Sequence, residues 1–270
     1  MVNGVVPGCR HIDHPFVART SHESGDPSQQ ARTGFGPFPG AHRGSYRAHM
    51  ATSNPDMSMN KLIHRAFRRD LGRFRRALDA LPEGDRERAA ALHRAWLNFD
   101  TQLTEHHEGE HEVVWPALDA IGIARPTIAS FDAEHEAMAA DLAIARDAMR
   151  SLEGAASRSD ADAASAVMKR LELTTVTHLD HEEQVTEGAL AHHKDHPAIK
   201  EMGRKFSRRS GPAKAGTFFA WIQDGATQEE MSALRAHVPG PVMIVLGGLF
   251  GRRYRHEVAT VWAGRTAPRL

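Results

Sequence analysis

Six residues of two chemical types recur along the middle of this chain: His64, His106, Glu110, His135, His178 and Glu182. Imidazole and carboxylate are metal ligands, and in combination they suit iron, zinc, copper or manganese rather than calcium, which takes oxygen alone. Glu110 follows His106 by four residues and Glu182 follows His178 by four. That is just over one helical turn, so each pair shares a helix face and both pairs can point at one centre. Four nitrogens and two oxygens are too many for one tetrahedral zinc. They match two metals bridged by carboxylate, with coordination positions left for water, dioxygen or peroxide.

The elements that must position these groups are legible as apolar stripes. The first runs His64, Phe67, Leu71, Phe74, Leu78, and the second Leu92, Trp96, Phe99, Leu103, His106, Glu110, Val113, Ala117. The third runs Ile128, Phe131, His135, Met138, Leu142, Ala145, Met149, Leu152. The fourth runs Val167, Leu171, Thr174, His178, Glu182, Val185, Ala189, with one irregular step at which His181 competes with Glu182 for the inward direction. Alternating steps of three and four mark helices with one buried face, and here the ionisable residues stand in register with that face. The reading is an all-α, up-down-up-down four-helix bundle with a polar layer inside it. Six buried ionisable groups could instead pair among themselves without metal, but that costs several kcal/mol for each group left unpaired, which makes it a poor structural solution. On the second helix, His107 and His111 form another pair four apart, about 100° round from the core stripe, and read as outer or surface groups.

Ser58 or Asn60 offers a cap for the first helix, Asp85 for the second and Ser159 or Asp160 for the fourth; Pro126 opens the third and Glu153-Gly154 closes it. Pro116 should kink or end the second helix just beyond Glu110. Three segments follow: residues 1–56 as a disordered leader, 57–196 as the bundle, and 197–270 as a basic linker and a C-terminal helical extension. The leader carries Pro7, Pro15, Pro27, Pro37, Pro39 and Pro55 without sustained periodicity. It lies upstream of a translation start at Met50, or else is a tail whose His11, His14, His22, His42 and His49 hold metal weakly. The linker has Lys200, Arg204, Lys205, Arg208 and Arg209 and reads as solvated. Beyond it Phe218, Phe219, Trp221, Ile222, Val242 to Leu249, Val261 and Trp262 form two or three short helices. They cover the bundle or a second copy of the chain, as a homodimer through the C-terminal helices.

Lys+Arg and Asp+Glu are equal at 34 each over 270 residues, so the chain as a whole carries no electrostatic footprint for nucleic acid or an anionic membrane. The arginines of the first helix, Arg65, Arg68, Arg69, Arg73, Arg75 and Arg76, read as a solvated face. The single cysteine, Cys9, excludes an intrachain disulfide and a thiolate metal site, which fits a reducing cytoplasm. No apolar stretch of signal-peptide length precedes Cys9, and the apolar run Val238 to Phe250 is too short and too broken by glycine and proline to span a bilayer. No phosphate-cradling loop, dinucleotide fingerprint or nucleophile arrangement appears.

The segments His64-Arg65-Ala66-Phe67, His106-His107-Glu108-Gly109-Glu110-His111-Glu112-Val113-Val114-Trp115-Pro116, Glu134-His135-Glu136 and His178-Leu179-Asp180-His181-Glu182-Glu183 resemble the four helix signatures of the hemerythrin-like, or HHE cation-binding, family in its bacterial form. The resemblance covers about residues 60 to 195. It implies a non-haem di-iron site, two irons with an oxo or hydroxo bridge, with His64, His106, His135 and His178 as terminal ligands and Glu110 and Glu182 as bridges. It also implies a small diatomic ligand or peroxide as partner. Activities in the family range over oxygen binding, oxygen or nitric oxide sensing, iron handling and peroxide decomposition. The implied function is binding of O2, NO or peroxide with peroxide decomposition, and the alternative is a sensor or iron-binding module that signals through the C-terminal helices. Glu183, five residues after His178, has the spacing of the bridging acid in oxygen carriers, but Glu182 mirrors Glu110 and is preferred. Oxygen carriers have a second histidine four residues along the third helix, where this chain has Ala139; that departure implies a reactive site with one open iron rather than an oxygen carrier. Tyr46 and Tyr254 lie outside the bundle, so a tyrosine-ligated variant is not expected.

Overall fold

The computed structural model describes residues 57–263, and among them every regular element is helical. The expected leader, the start at Met50, Cys9 and the histidines from His11 to His49 lie outside the described residues. The bundle consists of α1 (Met59–Asp79), α2 (Arg86–Gly109), α4 (Arg125–Ala155) and α5 (Arg158–His192). Helix α2 runs through a π-helical turn, Glu110–Val114, into α3 (Trp115–Ala120). Five shorter helices follow: α6 (Pro197–Arg209), α7 (Pro212–Gln223), α8 (Gln228–His237), α9 (Gly240–Leu249) and α10 (Arg252–Tyr254). A second π turn, Arg255–Ala259, leads into α11 (Thr260–Trp262).

Local chemistry accounts for the boundaries. Ser58 Oγ accepts from Lys61 N at 3.0 Å and Asp85 Oδ1 from Arg88 N at 2.9 Å, satisfying amides that the first helical turn leaves free. The cap of α5 is Ser157, which accepts from Asp160 N at 3.1 Å, and not Ser159 or Asp160; the helix starts two residues earlier than its periodicity suggests. Gly84, at φ +78, turns the chain between α1 and α2 and donates its N–H to Ala156 O at 2.8 Å, joining the two loops at that end of the bundle. Pro116 does not end the second helix. It sits in the first turn of α3, after a widened turn in which Trp115 N–H reaches back to Glu110 O, so the chain bends and continues.

The stripes of α1, α2 and α4 pack as their spacing predicts; that of α5 holds at Leu171, His178 and Glu182 but is displaced by one residue at Val167, Thr174 and Val185. Its buried line is Met168, Leu171, Thr175, His178, Glu182 and Thr186, whereas Val167, Thr174 and Val185 are half-buried. Two threonines on an inward face give no apolar signal, which explains the irregular step in the pattern. The interior is divided: one apolar core runs from Leu62 and Phe67 to Leu152 and Leu171, and a smaller one holds Val114, Trp115, Leu118 and Phe131. The polar residues His64, Glu110, His178 and Glu182, each 0–1 % exposed, lie at the level between them.

The extension belongs to the same compact unit as the bundle. Trp221, Ile222, Leu234, Tyr254, Val258 and Val261 are buried in the larger core. The arginine face of α1 is accordingly not solvated as expected. Arg65 donates to Ile222 O and Gly225 O, Arg69 to Trp221 O and Asp224 O, and Arg73 to the Asp224 carboxylate. Arg65 and Arg69, one turn apart, thus satisfy carbonyls at and just beyond the C-terminal end of α7, where the helix dipole is negative, and Arg73 pairs with the carboxylate that follows it. Arg68 pairs with Glu183 and Asp180, which leaves Arg75 and Arg76 exposed. Residues 197–209, read from composition as linker, form helix α6, although none of its side chains is fully buried.

Candidate metal centre

All six expected residues come together in one layer, joined by a seventh. Two groups of ligand atoms form, each lying within 4.8 Å of one another: His64, His106, Glu110 and Glu182, and His107, Glu110, His135 and His178. Glu110 is common to both. Its Oε1 lies 2.8 Å from His106 Nε2 and its Oε2 3.3 Å from His135 Nε2, so one carboxylate faces one histidine of each group. Glu182 belongs to the first group. Its Oε2 is 3.2 Å from His64 Nε2 and 4.0 Å from His178 Nε2.

Partners behind the ligands fix their orientation. His64 Nδ1 lies 2.8 Å from Glu183 Oε1, which is also held by Arg68 at 2.7 Å. His178 Nδ1 lies 2.8 Å from Glu134 Oε2, whose other oxygen is 2.7 Å from His181 Nδ1. A carboxylate at Nδ1 keeps the proton there and turns the Nε2 lone pair inward, the usual backing of a metal-bound histidine. Glu182 Oε1 accepts from Asn60 at 3.2 Å. Glu183 therefore stands behind the layer and Glu182 within it.

The donor set fits metal on a direct observation. Both oxygens of Glu110, Oε2 of Glu182 and Nε2 of His107 are buried and make no aligned hydrogen bond, although nitrogens lie close by. Nε2 atoms also face one another, His64 with His106 at 3.2 Å and His135 with His178 at 3.0 Å. Each such pair can share one proton, but the Glu110 and Glu182 oxygens beside them remain buried acceptors without an aligned donor, which is costly unless a cation sits among them.

The electrostatics of the metal-free layer are uneven. Burial opposes a charge on His64, but hydrogen bonds to Glu182 and Glu183 outweigh it and raise its pKa to about 9. His178 goes the other way, to about 4, because burial and the nearby His135 disfavour its cation. Burial likewise pushes His107 well below the usual histidine range. Burial would raise Glu110, yet the imidazoles of His106 and His135 hold it well below the ordinary carboxylate value, whereas Glu182 is raised by burial and by Glu110.

Two expectations need correction. His107 is not an outer group: its ring stacks on that of His135 at 4.2 Å, and it joins the second cluster. The bundle centre falls between the directions of His106 and His107, so two neighbours 100° apart both reach the layer, which a one-residue stripe does not express. The Glu-rich turn that follows gives no separate signal for it. Ala139 is exposed and does not face the layer. The inward place one turn from His135 is Phe131, which lies 4.9 Å from the His181 ring and 6.2 Å from that of His178. With His107 present, the second group has three imidazoles despite lacking a second histidine on α4, so the inference of an opening at Ala139 does not stand. Glu134 as the partner of His178 was also missed; the Glu-His pair in the sequence gave no sign that it reaches another helix.

No helix among the described residues is long and apolar enough to cross a membrane. Searches of curated proteins and of solved structures gave no match. Residues 59–186 match the family model described as the hemerythrin HHE cation-binding domain. That span contains α1 to α4, most of α5 and all seven clustered side chains, and so the chain carries a hemerythrin HHE cation-binding domain.

Proposed function

We propose that this domain holds a non-haem pair of iron ions and binds dioxygen, nitric oxide or peroxide there, with decomposition of peroxide as its activity. The observation that carries this reading is the sharing of Glu110 between two four-residue donor groups. His64, His106 and Glu182 would hold one ion, His107, His135 and His178 the other, and Glu110 both. Two redox-active ions with coordination positions beyond these side chains would supply electron exchange with a small oxidant. The chain's own residues do the rest. His106 and His135, with side chains 9 % and 12 % exposed, mark the side between α2 and α4 from which a small molecule approaches. Phe67, Phe131 and Trp115 keep the surroundings apolar, and Glu183 and Glu134 hold the Nδ1 protons of His64 and His178.

Protein purified from iron-fed cells should contain about two irons per chain and consume added peroxide without losing them. Glu110→Ala should remove most of the metal, and His107→Ala about half. A single tetrahedral zinc, or full iron in Glu110→Ala, would overturn the reading. A second reading, a sensor acting through the extension, draws on one contact: the Trp221 ring lies 5.0 Å from Phe67, which lies 5.2 Å from His106. It requires a change in protease cleavage of α7–α11 between iron-loaded and iron-free protein; identical digests would eliminate it.

A further inference from the structure

Helix α6 lies outside the residues that match the family, yet it rests on the turn that carries the shared carboxylate. Gly109 immediately precedes Glu110, and a Cβ added there would stand 2.9 Å from Phe206 Cε1 and 3.2 Å from Arg209 Nη1. The Phe206 ring therefore lies on bare backbone at the start of the π turn. Arg209 reaches two acids that straddle Glu110, Glu108 at 3.5 Å and Glu112 at 3.0 Å. Met202 packs into the small core with Val114, Trp115 and Leu118.

A π turn inserts one residue into an α-helix, and a helix keeps so uncommon a turn only where its surroundings hold it. One residue corresponds to about 100° of rotation, so if the turn relaxed, the segments on its two sides could not both keep their inward faces. Before it stand His106, His107 and Glu110 in the polar layer; after it stand Trp115 and Leu118 in the small core. The turn reconciles the two faces, and α6 contacts it at the residue before Glu110 and at Glu112 within it.

We propose that α6 is a positioning element of the metal centre, in which Phe206 and Arg209 hold the π turn so that Glu110 reaches both metal positions. This rests on the dinuclear reading above. The test is the double variant Phe206→Ala with Arg209→Ala in the full chain, reconstituted with iron. It is followed by iron content, by circular dichroism and by the paramagnetic resonance signal of the half-reduced pair, which arises only from two coupled irons. The expected result is unchanged helical content, a severalfold loss of the coupled signal and a fall towards roughly one iron per chain. Phe206→Leu with Arg209→Lys should restore most of the signal, which a loss of general stability would not predict. Gly109→Ala approaches the same contact from the bundle side. It favours helix while displacing the Phe206 ring, and should weaken the coupled signal even if the double variant fails to fold. An undiminished signal and full iron in the double variant, or in Gly109→Ala if the double variant does not fold, would overturn the role of α6 alone. An unmodified protein that takes up a single iron would overturn the dinuclear reading and this one with it.

Discussion

Two histidines of the same layer respond to pH in opposite senses. His64 has a folded pKa raised from 6.5 to about 9, so the stability it contributes is fully present below pH 6.5 and is lost as pH rises through 9. His178 is lowered from 6.5 to about 4; it is buried neutral, so its contribution is full above pH 6.5 and is lost as pH falls towards 4. The metal-free protein should therefore melt highest near pH 6.5 and several degrees lower at pH 5 and at pH 9, measured by thermal unfolding in chelator; a monotonic trend over that range would contradict the assignment. At this scale the sequence was largely readable. His64, His106, Glu110, His135, His178 and Glu182 stand in register with apolar stripes, and burial of that many ionisable groups demands a common purpose. His107 was not readable, because a stripe reduces each turn to one direction whereas the centre lies between two. Ala139 was given weight by the resemblance and not by the stripe, on which Phe131 and Met138 stand inward and Ala139 does not, and the packing follows the stripe.

Helix by helix, the caps and turns at Ser58, Asp85 and Pro126 follow from local chemistry, and so they could be anticipated. What could not is any interaction between charged residues distant in sequence. Asp70, 2 % exposed on α1, accepts from Trp221 Nε1 at 2.8 Å and from Arg69 Nε at 2.7 Å, while Asp224 accepts from Tyr254 OH at 2.9 Å and from Arg73 at 2.7 Å. An arginine-rich helix face looks solvated until a partner 150 residues away is known to lie on it. Replacing Asp70 by alanine strands the buried Trp221 Nε1 and takes the carboxylate from Arg69 and Arg73. It should cost about 3–5 kcal/mol of stability, since removal of one member of a buried charged pair has that order of effect. Denaturant unfolding would measure this. A loss of well under about 1 kcal/mol would mean that the network is no stronger than an exposed ion pair.

Over the whole molecule, the sequence announced a bundle and further helices but not that α7–α11 share its core, because an apolar segment does not specify which surface it covers. Phe67 meets the extension through Trp221 and Phe74 through Trp262, so ending the chain at His196 would expose aromatic surface of the bundle. That truncated protein should bind a hydrophobic dye and melt lower than the full chain; equal melting temperatures would show the extension to be dispensable for stability. A consequence of a different kind follows from the layer between the two apolar cores. Metal-free, those cores adjoin through a polar layer in which Glu110, Glu182 Oε2 and His107 Nε2 lack an aligned partner, so the small end around Trp115, Leu118 and Phe131 has little to bind its opening to that of the rest. Amide hydrogens of α3 and of the first turns of α4 should then exchange with solvent through a sub-global opening, well before those of the Leu71 to Leu103 region. An ion held by all four helices would act as a rivet through that seam, merging two cooperative units into one and bringing the exchange of both ends to a single rate.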